Sequence, residues 1–414
     1  MPGLTVVSVI SDVRGKGERK LRTLLEKLGR NLGRSKTIQF NKMQTVHYAA
    51  WLILPGVNNG PARLLFETNY VGTPDAHLAD LIRYGGKAFD HIYAYCAGYR
   101  AKKVPGEGIR DYFQNLSSVF YVALPDRPLA DIRNAICVYE QATAFLDTLA
   151  TKGMAKEEVD ARLIAYFQAQ PPAKRPQKFD VTQRGQMWRL ALHIVVAALL
   201  YLLPGGALFY FKFHKTAIAW LVLPFLYLIV IVLAGRVQEL IEESRPQPSD
   251  PSYGPEEFRQ LNVGPQNHLC TLATIRPGWF RRYLLKQALL LGTVLSRYFF
   301  ILGKLDLMPT IHFARWILMG DELIFLSNYD GSFSSYLADF SDQAWGVNLV
   351  WGNTIGFPPT RFLTRDGAND LDAFEAQGLS HFHPAQVFYS AYPEYPVQNL
   401  IRYLEFRDAL QRAL

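Results

Sequence analysis

Along the first 150 residues, short runs rich in β-branched and aromatic residues alternate with stretches of helical period. "LTVVSVI" from Leu4 reads as a strand, and Leu21, Leu24, Leu25, Leu28 and Leu32 then recur at helical spacing. The run around His47 and "RLLFETNYV" read as strands again. A helix is predicted from Asp75 to Arg83, with Thr73-Pro74 as its start, and "HIYAYCAGY" closes the unit as a fourth strand. The order is βαββαβ, the split βαβ arrangement of a ferredoxin-like unit. A further strand, "SSVFYVAL", and a terminal helix decorate it.

The pattern is written twice. "LTVVSVI" at Leu4 matches "LCTLATI" at Leu269, and "RKLRTLLEKLG" at Arg19 matches "RYLLKQALLLG" at Arg282. Thr45-Val46-His47-Tyr48-Ala49-x-Trp51 returns as Thr310-Ile311-His312-Phe313-Ala314-x-Trp316. "LLFETNYVGTPDAHLAD" at Leu64 matches "LIFLSNYDGSFSSYLAD" at Leu323, and "VFYVALPDRP" at Val119 matches "VFYSAYPEYP" at Val387. Matched blocks in the same order imply an internal duplication.

Between the copies the pattern changes to continuous hydrophobicity. Leu190 to Phe211 and Ala217 to Gly235 are separated only by "KFHKT". At about 1.5 Å per residue each makes a helix near 30 Å, enough to cross a hydrocarbon core. Lys174, Arg175, Lys178, Arg184 and Arg189 precede the pair, Arg236 and Arg245 follow it, and only Lys212 and Lys215 lie in the loop. That asymmetry places both ends, and the soluble domains, on the cytoplasmic side. The alternative is a turn at Pro204-Gly205-Gly206, with a hairpin that dips into the bilayer without crossing. The expected organisation is an N-terminal ferredoxin-like repeat over 1–150, a linker helix and Pro-rich segment over 151–186, a transmembrane helical hairpin over 187–236, a Pro-rich linker over 237–264 and a C-terminal ferredoxin-like repeat over 265–414.

Two such units in one chain resemble the dimeric α+β barrel superfamily, in which two four-stranded sheets face each other about a pseudo-twofold axis. The resemblance implies an α+β fold in which the tandem units form a pseudo-dimeric barrel with the hairpin inserted between them. The superfamily includes dye-decolourising peroxidases, chlorite dismutases and small monooxygenases, several of which hold haem through a histidine and stabilise peroxide with Arg or Asp. By that resemblance His312 is the first choice of haem ligand, with Arg315 or Arg361 and Asp366 assisting. The distal Asp of the peroxidases belongs to Gly-x-x-Asp-Gly; here "LTRDG" carries Leu363 in place of the first Gly.

Strand alternation puts His47 with Ala49 and Trp51 on one face, and His312 with Ala314 and Trp316 on its counterpart. If those faces line the barrel, two imidazoles converge on an apolar pocket walled by indoles, a setting for haem or another flat hydrophobic ligand. Otherwise each is a core histidine bonded to its surroundings, with Asn69 or Asn328 as partner. His268, just before the first strand of the second copy, is a further haem-ligand candidate. His381 and His383 share one face of an extended segment and could chelate a metal with a third ligand from elsewhere.

Charge and composition narrow this. Residues 1 to 50 hold ten Lys/Arg against three Asp/Glu, most of the net charge of +8, on a leucine-striped segment suited to anionic lipid. The RNA-recognition signature is missing, and nucleic acid is not an expected partner. Cys96, Cys137 and Cys270 are too far apart for a disulfide framework or zinc ribbon, and the N-terminal apolar run is too short for a signal peptide. No phosphate loop, nucleophile elbow or His-Glu-x-x-His occurs. The helix from Phe280 to Leu302 is apolar around most of its circumference, which places it against lipid or the hairpin. The leading expectation is a membrane-anchored, haem-dependent oxidoreductase, peroxidase- or monooxygenase-like, acting on a lipophilic substrate. The second is a non-catalytic membrane protein that binds or shuttles lipid or haem, or scaffolds partners.

Overall fold

A computed structural model describes residues 4–116, 118–124, 127–149, 154–179, 184–243, 264–298, 309–342 and 344–414. The chain is a mixed α+β protein with antiparallel sheets and two long apolar helices between the sheet-forming regions. In the first half β1 (Leu4–Asp12), α1 (Glu18–Arg30), β2 (Val46–Leu54), β3 (Arg63–Val71) and α2 (Pro74–Tyr93) are followed by a short α3 (Gly108–Tyr112), β4 (Val119–Val122), α4 (Leu129–Thr148) and α5 (Lys156–Ala169). The apolar helices are α6 (Arg184–Tyr210) and α7 (His214–Glu243). The second half runs β5 (Gln266–Thr274), α8 (Trp279–Tyr298), β6 (Ile311–Met319), β7 (Glu322–Asp330), α9 (Phe333–Asp342), α10 (Ala344–Trp351), the small ribbon β8 (Thr360–Arg361) and β9 (Arg365–Asp366), α11 (Leu371–Ser380), β10 (Val387–Ser390) and α12 (Val397–Ala413).

The two principal sheets are ordered β1-β3-β2-β10 and β4-β6-β7-β5. Each half therefore lends its last strand to the other's sheet: β10 pairs with β2, with Val387 opposite Trp51, and β4 pairs with β6, with Val119 opposite Trp316. This corrects the expectation of a fourth strand at "HIYAYCAGY". Helix α2, capped by the Thr73 hydroxyl, runs on through Tyr93, and of that run only Cys96 makes a strand-like bridge, to Val13. The apolar spacing of Phe89, Ile92 and Tyr93 continues the helical face begun at Leu81, so the helix wins.

The registers of the two halves correspond. β1 opposes β3 with Asp12 against Arg63, and β5 opposes β7 with Thr274 against Glu322. That register matches Leu4 to Gln266, three residues before the Leu269 that sequence similarity suggested. Across the interior, equivalent positions of β3 and β7 touch. Arg63 makes a two-pronged ion pair with Glu322 (2.6 and 3.0 Å), and Asn69 Nδ2 donates to Asn328 Oδ1 at 3.1 Å. With both pairs formed between counterparts, an axis relating the halves runs between these strands and along them.

Both seams between the sheets carry main-chain bonds. Leu116 N–H donates to Ser8 O on the edge of β1, and β4 follows directly; His383 N–H donates to Cys270 O and Leu272 N–H to His381 O on the edge of β5, and β10 follows directly. The two sheets thus join into a ring. Its interior holds Ala50, Leu52, Leu54, Leu65, Ile317, Ile324 and Leu326, and its outer faces are covered by helices. Helix α1 crosses so close to the lead-in to β10 that a Cβ on Gly29 would lie 2.2 Å from Gln386 O.

Helix α6 continues through Pro204, and the chain turns at residues 211–213, with Lys212 at a φ of +65°. The alternative turn at Pro204-Gly205-Gly206 is therefore absent. A proline costs one backbone hydrogen bond, but the flanking run of Leu, Ala and Val keeps the helix going. Nearly every apolar side chain of the hairpin is exposed, from Leu192 to Val237. Its lengths and hydropathy suit a membrane span.

Candidate functional site

His47 and His312 occupy the same irregularity in their halves, a β-bulge between Val46 and Tyr48 in β2 and between Ile311 and Phe313 in β6. Each bulged residue offers its carbonyl to the lent strand: Ala391 N–H donates to His47 O and Ala123 N–H to His312 O, both at 2.9 Å. A bulge breaks side-chain alternation, so the imidazoles do not share a face with Trp51 and Trp316. Trp51 packs outward on Phe66 and Phe89, and Trp316 on Phe325 and Trp351. The indole-walled pocket expected from strict alternation is not formed.

The two histidines do converge, on the ring of Tyr392 (centroids 5.9 and 6.1 Å) beside Tyr48 and Phe313. Their chemistry differs. His312 Nε2 lies 2.7 Å from Asp330 Oδ1, whose other oxygen accepts from Val397 N–H, and Gln266 Nε2 stands 3.2 Å from the same ring nitrogen. His47 Nδ1 meets the Tyr392 hydroxyl at 3.0 Å while its Nε2 is buried without a partner. Burial, and then the charge of Arg133, lower the His47 pKa to about 3.

Haem does not fit these positions. Nε2 of His312 is taken up by Asp330 and Gln266, and the buried rings of Tyr48, Phe313 and Tyr392 pack against one another where a macrocycle would have to lie. Arg315 is also committed elsewhere. It reaches through the ring to Val7 O and Ser8 Oγ (2.9 and 2.7 Å), to Asn69 Oδ1, and to Glu67 Oε2 at 3.3 Å. Arg361 and Asp366 pair with each other on the exposed β8-β9 ribbon.

The third histidine candidate belongs to the most unusual group in the interior. His268 Nε2 lies 2.6 Å from Glu67 Oε1, so Glu67 links His268 and Arg315, all three buried. Burial opposes the Glu67 charge, but Arg315 and His268 prevail and hold its pKa below the usual carboxylate value. The equivalent positions in the other half are Leu326, Val6 and Ala50, all apolar. The duplication therefore carries this charged trio once. With Glu67 accepting at Nε2, His268 leaves Nδ1 as its second polar atom, buried and without a partner.

His268 also lines a large opening, a cleft of about 880 Å³. The seam explains its place. Residues 381–383 bond to Cys270 and Leu272 and then leave β5 to cross to β2, so the chain parts from β5 at Gln266 and His268. At the opposite seam Asn115 closes this gap, its Oδ1 accepting from Ser8 N–H and its Nδ2 donating to Val6 O. When β4 is laid on β10, His383 stands in the place of Asn115 and makes no such clamp. Phe382, Phe388 and Ser390 line the cleft together with Arg22, Glu26 and Arg30 of α1 and with Glu394.

His381 Nδ1 is held at 2.9 Å by Gln377 O, and burial, followed by the nearby charges of His381, Arg63 and Arg22, lowers the His383 pKa to about 4. No group of three metal-ligating side chains occurs among the described residues, so the third ligand that the His381 and His383 reading requires is not brought to them. Sequence reasoning missed Glu67, Gln266 and Asn115. The mismatch of Glu67 with Leu326 inside an otherwise matching block was the available signal.

The hairpin joins the second half through two buried carboxylates. Glu239 accepts from Phe362 N–H, Leu363 N–H and the Thr360 hydroxyl (2.8 to 2.9 Å), where Phe362 and Leu363 both take left-handed backbone conformations that aim successive N–H groups at it. Glu242 pairs with Arg276 and Arg281 at 2.9 and 2.6 Å. The loop lies so close to α7 that a Cβ on Gly235 would come within 2.7 Å of Leu363. Compared with family models, curated proteins and solved structures, the chain matches none.

Proposed function

We propose that this chain is a membrane-anchored, pseudo-dimeric α+β barrel of two ferredoxin-like units that binds an amphiphilic molecule at its open seam and holds or shuttles it without redox chemistry. The observation that carries this reading is the cleft beside His268. It lies at the seam that lacks the Asn115 clamp, and its lining brings Phe382 and Phe388 together with Arg22 and Arg30 of α1, beside Glu26 and Glu394. Such a lining suits a ligand with an apolar body and a zwitterionic head. The exposed hairpin supplies the membrane in which such ligands dissolve, and the basic flanks orient the barrel to the cytoplasmic side.

The oxidative alternative shares the apolar ligand but needs a cofactor that the packing around His312 does not accommodate. Detergent-purified protein separates the two. The binding reading expects a colourless protein that carries lipid or another amphiphile into mass spectrometry, with the load falling several-fold in Ala385→Trp, which fills the cleft. A Soret band that disappears in His312→Ala would overturn it in favour of a haem enzyme.

A further inference from the structure

Helices α1 and α8 follow the first strand of their respective halves and bury corresponding leucines, Leu21 and Leu25 in one, Leu285 and Leu289 in the other. Their outward faces differ sharply. On α1 the exposed positions include Arg19, Lys20, Glu26, Lys27 and Arg30, an ordinary solvated face. On α8 they include Trp279 (79 % exposed), Leu290 (60 %), Leu291 and Val294, with Lys286, Gln287 and Thr293 as the polar members. The same element on the same kind of sheet has exchanged charge for apolar surface in one copy only.

That surface is continuous with the hairpin. Trp279, Tyr283, Leu290 and Val294 fall on one stripe at helical spacing, opposite the buried leucines. The Tyr283 hydroxyl on that stripe meets the Tyr227 hydroxyl of α7, in the middle of its apolar run. Helix α6 also touches α8. The medium that bathes the exposed leucines and valines of the hairpin therefore reaches the outer face of α8. Near the start of the stripe Arg282 is held by Gly320 O and Asp321, and at its middle Lys286 is long enough to reach a headgroup from an immersed stem.

We propose that the stripe Trp279–Tyr283–Leu290–Val294 is a lipid-contacting face, so that the second sheet rests on the bilayer through α8 instead of hanging from the hairpin alone. This rests on the membrane reading of the hairpin and adds a surface to it. A lipid layer fits better than a protein partner because the stripe runs into a surface already apolar over two full helices, and the exposed polar residues of α8 are few and carry no acidic group.

The test places an environment-sensitive fluorophore on Leu290→Cys in a Cys137→Ser background of the full chain. The protein is reconstituted in phosphatidylcholine–phosphatidylglycerol vesicles with or without nitroxide-labelled acyl chains. Glu26→Cys on α1 and Val222→Cys in the hairpin are labelled in parallel. The expected result is blue-shifted emission and strong quenching by nitroxide lipid at positions 290 and 222, with neither at 26. Quenching at 222 alone, with position 290 in water or shielded by protein, overturns the proposal and leaves the hairpin in the membrane. Absence of quenching at 222 overturns the membrane reading itself, and this face with it.

Discussion

His47, His77 and His383 are neutral in the folded chain, with pKa values lowered to about 3, 3 and 4, burial being the largest cause in each. Unfolding returns each to its ordinary 6.5, so below that value the unfolded chain binds more protons. Their contribution is complete above pH 6.5 and is lost as pH falls from 6.5 toward 4 and 3. At pH 5 each costs about 2 kcal/mol. Thermal unfolding followed between pH 7 and pH 5 should show a steep loss of stability, and His47→Phe, which keeps a ring and removes the titration, should flatten it. At the same scale, Arg315→Leu removes the cation from a buried carboxylate and should cost about 3–5 kcal/mol in denaturant unfolding. Adding Glu67→Leu, the residue at the equivalent position of the other half, should recover part of that loss, because no buried charge is then left uncompensated.

Among elements, strands were read from alternation and helices from their leucine rows, and the duplicated histidines marked a shared feature. What alternation could not show was the bulge at each histidine, which turns one residue out of phase and undoes the argument that grouped His47 with Trp51. Nor could the repeat show which copy's last strand completes which sheet: "VFYV" and "VFYS" are equally good partners for either edge, and only the path of the chain decides. The lent strand depends on close approach by α1. Gly29→Val sets a branched side chain against the Gln386 carbonyl and should detach β10 from α1. Hydrogen exchange at the backbone of Ala49 and Trp51, which face β10, should then accelerate while β7 stays protected.

For the whole molecule, the two apolar segments were legible from length and hydropathy alone, and so was their place between two similar blocks. Their coupling to the second block was not, because Glu239 and Glu242 look in the sequence like ordinary polar residues past the end of a span. Buried against Arg276, Arg281 and the loop at Thr360, they fix the direction in which α7 leaves the protein. Glu242→Ala strands two buried guanidinium groups and should lower the unfolding temperature of the soluble part by several degrees, since a 3–5 kcal/mol loss is large against the stability of a domain. Resistance of the protein to alkaline extraction from membranes should not change, because the apolar surface of the hairpin is intact.

The exchange of edge strands also orders events during synthesis. The amino-terminal sheet lacks its border until residues 387–390 leave the ribosome, long after both apolar helices have been made. A nascent chain must therefore carry an unfinished, sticky margin until its last strand arrives, and a message that stops just short of Val387 leaves the damage in the sheet at the opposite end of the chain.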